Sequence, residues 1–154
     1  MRGDRIFMEN KIAHLGFIET TIERMANNSA AIKGWSMGIV AALLGIGIIS
    51  GENINPYRWI LFGCACLITI VMWGLDVFYL YQEKLYRDLY SIVKKVTEDD
   101  KIDFSMDARY KTIKELKGKA TCYFSVLKNR TILPFYLAQI VVYLLFFLLP
   151  MWIK

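Results

Sequence analysis

Residues 34–80 read GWSMGIVAALLGIGIIS (34–50), GENINPYR (51–58) and WILFGCACLITIVMWGLDVFYL (59–80). The first run carries no charge and the second carries one, Asp76. Each approaches the ~20 apolar residues with which a helix crosses the hydrocarbon core of a bilayer. A third uncharged run, ILPFYLAQIVVYLLFFLLPMWI, occupies residues 132–153. A soluble domain of 154 residues, here 56% hydrophobic, rarely holds three such runs. The expected fold class is therefore all-α: an integral membrane helical protein with three transmembrane helices.

Working outward, the chain reads as a single integrated membrane domain, residues 1–154. An amphipathic cytoplasmic helix is expected over 8–30, with Ile12, Leu15, Ile18, Ile22 and Met25 as its apolar stripe. Asn27, Asn28 and Ser29 should interrupt or bend it before the first span, 34–50. His14 lies beside the stripe and reads as a helix-surface histidine. The second span, 57–80, keeps its three-to-four spacing as a cytoplasmic helix to about residue 96, a rod ~60 Å long at 1.5 Å per residue. Cytoplasmic helices follow over 105–130, then the third span over 132–153.

Cation placement sets the topology. The segment up to Lys33 holds five Lys/Arg and residues 81–131 hold twelve, whereas the GENINPYR turn holds only Arg58. The N-terminus and 81–131 are expected in the cytoplasm, the turn and the C-terminus outside. No cleavable signal peptide is expected, since the first apolar run starts deep in the chain.

Several residue sets stand out. Gly34, Gly38, Ala41, Ala42 and Gly45 share one face of the first span. Small residues let helix backbones approach closely in lipid. The face fits packing against the second span or a seam between subunits. Asp76, with Ser36 and Gln139, is the intramembrane polar set. A carboxylate in a span is costly, so Asp76 is expected to pair with Lys33, to reach water, or to line a pore. Lys33, Lys117, Lys119, Lys128 and Arg130 form an inner-face basic set, either solvated, resting on anionic lipid, or grouped at an inner mouth.

The stretch TEDDKIDFSMD (97–107) reads as a loop, with Asp103 or Ser105 capping a helix over roughly 106–117 and Gly118 closing it. Its aspartates lack the glycine and spacing of an EF-hand. Cys64, Cys66, Cys122 and the single histidine give no metal-ligand spacing, so no metal or cofactor is expected. There is no Ser-His-Asp set, no H-E-x-x-H, no P-loop and no Rossmann glycine pattern. Enzymatic activity and direct nucleic-acid binding are not expected, and three spans without an inverted repeat make a poor transporter.

The stretches KIAHLGFIETTIERMANNSAAIKGWSMGIVAALL, WGLDVFYLYQEKLYRDLY, DFSMD and TILPFYLAQ resemble a widespread family of small bacterial multi-span membrane proteins. Members of that family look like the transmembrane effectors found beside anti-phage genes. The resemblance implies an antiviral defence protein of the bacterial inner membrane that disrupts the bilayer when a partner signals infection. The leading expectation is a homo-oligomeric, pore-forming effector with a cytoplasmic trigger, its partners being the lipid bilayer and copies of itself. The alternative is a membrane sensor or anchor whose cytoplasmic helices recruit a soluble defence protein.

Overall fold

The computed structural model describes residues 2–50, 57–96 and 104–152. Residues 51–56, most of the expected outer turn, lie outside the described residues. So do 97–103, with Asp99, Asp100 and Asp103 of the acidic stretch. The described residues form five helices and no strand: α1 (Arg2–Ser50), α2 (Arg58–Lys95), α3 (Tyr110–Lys117), α4 (Tyr123–Leu127) and α5 (Ile132–Trp152). Both α1 and α2 are long and apolar enough to cross a membrane. They contribute to two compact units, one of residues 1–28 and 78–126, the other of 29–77 and 127–154.

The first unit is organised around α2. Leu85, Leu89 and Val93 recur every four residues, which lines them along one helix face. With Ile18, Ala108 and Ile113 they form its buried core, against which Leu15, Ile22, Tyr86 and Met106 pack. Polar contacts secure the edges. The Lys11 ammonium donates to the carbonyls of Lys94 at 3.2 Å and Val96 at 2.6 Å. It thereby meets the partnerless carbonyls and negative dipole end of α2. Asp88 accepts from Lys117 and, at 3.2 Å, from Thr121, holding the end of α3 and the chain beyond it.

The second unit comprises the later part of α1, the earlier part of α2, and α5. Val40, Ala65, Tyr143 and Phe147 are its apolar centre, with Leu43, Leu44, Leu61, Phe62 and Phe146 around them. At Gly47 the aromatic ring of Phe146 lies so close that an added Cβ would sit 2.5 Å from its Cε1. Gly47 is thus the glycine on which α5 approaches α1. Ile48, Ile49, Leu67, Ile70, Leu137 and Val141 all face outward, and Ile49 is 88% exposed.

Three expectations need correction. Helix α1 is not interrupted at Asn27–Ser29. The intrinsic cost of Asn and Ser in a helix is only ~0.5 kcal/mol each, and Ser29 is buried with its hydroxyl hydrogen-bonded. Helix α3 starts at Tyr110, not near residue 106, and Arg109 at its N-cap makes no side-chain cap. Ser105 instead accepts from the Asp107 amide at 3.2 Å, spending its hydroxyl on a local turn. Gly118 does close α3, with φ 73° and its N–H bonded to the Lys114 carbonyl. His14 is not a surface residue: it is 5% exposed and lies edge-on to Phe104, ring centroids 5.6 Å apart. The buried line of α1 passes through His14 and Ile18, four residues apart, and leaves Ile12 67% exposed.

Candidate functional site

The second unit holds a polar cluster where its surface is apolar. Ser29 and Lys33 lie one turn apart on α1, Asp76 comes from α2, and Tyr136 from the first turns of α5. The Asp76 side chain is 0% exposed. The Lys33 ammonium lies 2.7 Å from each carboxylate oxygen and donates to the Ser29 hydroxyl at 2.8 Å. Ser29 donates to Asp76 Oδ1. The Tyr136 hydroxyl lies 3.4 Å from both Asp76 Oδ2 and the Met72 carbonyl. A buried carboxylate is costly unless its charge is balanced and its lone pairs are filled. Here one cation supplies the charge and two hydroxyls supply further donors. Lys33 keeps 28% of its side chain exposed, so its stem leads from this pair toward the unit's exterior.

A second layer lies one turn further along α1 and α5. Ser36 follows Lys33 by three residues and Gln139 follows Tyr136 by three, so the same helix faces meet again. The Ser36 hydroxyl donates to Gln139 Oε1 at 2.7 Å, and the Gln139 amide approaches the Met37 sulfur at 3.6 Å. Thr69 returns its hydroxyl to its own helix, to the Ala65 carbonyl at 2.9 Å.

All three residues of the expected polar set, Ser36, Asp76 and Gln139, are thus buried inside one chain. Each has a polar partner on a neighbouring helix, and Asp76 is paired with Lys33, one of the arrangements expected for it. The small-residue set behaves in the opposite way. Gly34, Gly38, Ala41 and Ala42 are exposed and Gly45 is half-buried, and nothing lies within 4 Å of a Cβ placed at Gly34, Gly38 or Gly45. Gly34 and Gly38 flank Ser36 by two residues, about 200° around the helix. Their face therefore points away from the one that α2 and α5 cover. Packing of this stripe against the second span is not what the structure has.

The basic set is divided. Lys117, in the first unit, pairs with Asp88, while Lys119 is exposed. Lys128 and Arg130 belong to the second unit and are also exposed. Sequence reasoning missed Ser29, whose type read as a helix breaker, and Tyr136, which was indistinguishable from other interfacial tyrosines. It also missed Gly47, since only the register of α5 selects it among the glycines.

The first unit contributes an open groove of about 420 Å³ walled by Tyr81, Gln82, Leu85, Tyr86 and the segment Met106–Tyr110. Its rim is held by a two-pronged ion pair, Arg109 Nη2 to Asp107 Oδ2 at 2.6 Å and Nε to Oδ1 at 2.9 Å. The hydrogen bonds and charge of Arg109 hold the Asp107 carboxyl well below the usual carboxylate range. Among the described residues no group of three or more His, Cys, Asp or Glu could hold a metal ion. The polar cluster offers paired charges and hydroxyls.

No family model, curated protein or solved structure matches this chain.

Proposed function

We propose that this chain is a self-associating effector of the bacterial inner membrane that permeabilises the bilayer on a cytoplasmic trigger, in anti-phage defence. In this reading α1, α2 and α5 supply three spans over 34–50, 57–80 and 132–153. The N-terminus and 81–131 are cytoplasmic, and the C-terminus is outside. The defence role rests on the family resemblance, and the orientation rests on the placement of Lys and Arg.

One observation carries the self-association: the Gly34–Gly38–Ala41/Ala42–Gly45 face is left uncovered by the chain itself. An uncovered small-residue face in lipid permits close backbone contact with another helix. Copies of the chain would meet along it. A trigger acting on the cytoplasmic helices would favour an arrangement in which Lys33 and Asp76 separate and expose polar groups. The test combines cross-linking with dye leakage in cells expressing the chain with its operon. Gly38→Ile should abolish cross-linked species and leakage together. Leakage that persists in a variant unable to cross-link would remove the proposal's basis.

The anchor reading is favoured by one feature, the groove of the first unit. A soluble protein co-purifying with the wild-type chain, and lost on Tyr86→Ala, would support it over the effector reading.

A further inference from the structure

The chain's positive charge is concentrated in one segment. Residues 104–130 hold seven Lys/Arg and two Asp/Glu, a net of +5, which equals the formal net charge of the whole chain. Two of the cations are engaged, Arg109 by Asp107 and Lys117 by Asp88. Lys111, Lys114 and Lys119 are exposed and form no ion pair among the described residues. Ile113 anchors the segment in the first unit's core, and Val126 is also buried, both 0% exposed. Two residues from Val126, and so about 200° round α4, Phe124 is 76% exposed.

We propose that this segment is a docking surface for the anionic headgroups of the inner leaflet, with Lys111, Lys114 and Lys119 as the cations and Phe124 as the apolar tip. It rests on the reading of α5 as a span. Phe124 lies eight residues before Ile132, where α5 begins, and eight residues reach at most ~29 Å. A surface tethered that closely meets the bilayer at high effective concentration. The charge chooses the partner: clustered cations beside a span attract anionic phospholipid, each by about fivefold. An aromatic ring beside them enters the headgroup–acyl boundary. Anionic lipid would thereby fix the cytoplasmic segment on the membrane and bear on any trigger that must move it.

The test uses the full chain in nanodiscs, with an environment-sensitive dye on the exposed Cys122 in a C64S/C66S background. In discs containing phosphatidylglycerol the emission should shift to the blue and be quenched by headgroup-depth quenchers. Phosphatidylcholine discs and high salt should abolish both effects. Lys111→Gln/Lys114→Gln/Lys119→Gln should lower the docking equilibrium constant by on the order of a hundredfold, and Phe124→Ser should remove the quenching. All four side chains are exposed, and unchanged helical circular dichroism checks that the fold survives. Identical emission in both disc types, or full docking in the triple variant, would overturn the proposal. If protease protection of α5 fails in both disc types, the three-span reading falls; protection without lipid-dependent emission sinks only this inference.

Discussion

In the unit of residues 1–28 and 78–126, Ile18, Leu85, Leu89 and Ile113 lie inside, and Arg87, Lys111 and Lys114 lie outside. In the unit of residues 29–77 and 127–154, Ser29, Ser36, Asp76 and Gln139 lie inside, and Ile48, Leu67, Ile70 and Val141 lie outside. The same α1 and α2 serve both. The contrast is one of degree, since His14 and Glu83 are buried in the first unit and Val40 and Tyr143 in the second. The proposed membrane setting of the second unit would account for it. In water, burying aliphatic surface contributes ~25 cal/mol per Å². Against lipid tails that term vanishes, and packing and interhelical hydrogen bonds must hold the helices together. A salt bridge should accordingly matter more in the second unit than in the first.

The largest expected effect breaks that comparison directly. Lys33→Met leaves the Asp76 carboxylate buried without its cation and should lower stability in detergent by about 3 kcal/mol. Lys117→Met removes the more exposed pair to Asp88 and should cost under ~1 kcal/mol. Adding Asp76→Leu to Lys33→Met should recover most of the loss, since an apolar replacement of both partners removes the uncompensated charge. Thermal unfolding of the four proteins checks this. Equal losses from Lys33→Met and Lys117→Met would erase the distinction between the units.

The glycines sharpen it next. Gly47→Leu must displace Phe146 and should cost about 2 kcal/mol. Gly38→Ile meets open space, so its melting temperature should stay close to wild type while cross-linking between copies is lost. A Gly38→Ile protein that melts early but still cross-links would invert the assignment of the two faces.

These contrasts also mark what was readable in the residues. The two long helices were legible because their uncharged apolar runs reach the length that crosses a membrane. The Lys33–Asp76 pair was legible because a carboxylate in such a run needs a cation and only one lay near. The Ser36–Gln139 bond joins residues 103 apart in sequence, and its register is set by how α5 packs, which no local pattern encodes. At Asn27–Ser29 the local turn preference is outweighed by the helix and the hydrogen bond that Ser29 makes. His14 departs from the expected stripe because the buried line of α1 runs through it and leaves Ile12 exposed.

Smaller effects concern single polar contacts, one in each unit. Ser36→Ala, deleting one interhelical bond of the second unit, should cost about 1 kcal/mol. Arg109→Gln should lower stability at neutral pH only slightly, because the pair it breaks is exposed to solvent. It should, however, raise the Asp107 titration, followed by carboxyl NMR, toward the ordinary value of ~3.9. The sign follows from the depressed carboxyl: its contribution is present above the unfolded value and is lost as pH falls through the lowered one. An Asp107 titration unmoved by Arg109→Gln would separate the ion pair from the shift.

The proposed lipid environment of the second unit is tested most directly by paired reporters, green fluorescent protein and alkaline phosphatase, fused after Lys128 and after Lys154. The three-span account predicts fluorescence without phosphatase activity at Lys128, phosphatase activity without fluorescence at Lys154, and resistance of both fusions to alkaline carbonate. Phosphatase activity at Lys128, or release of the chain by carbonate, would contradict it.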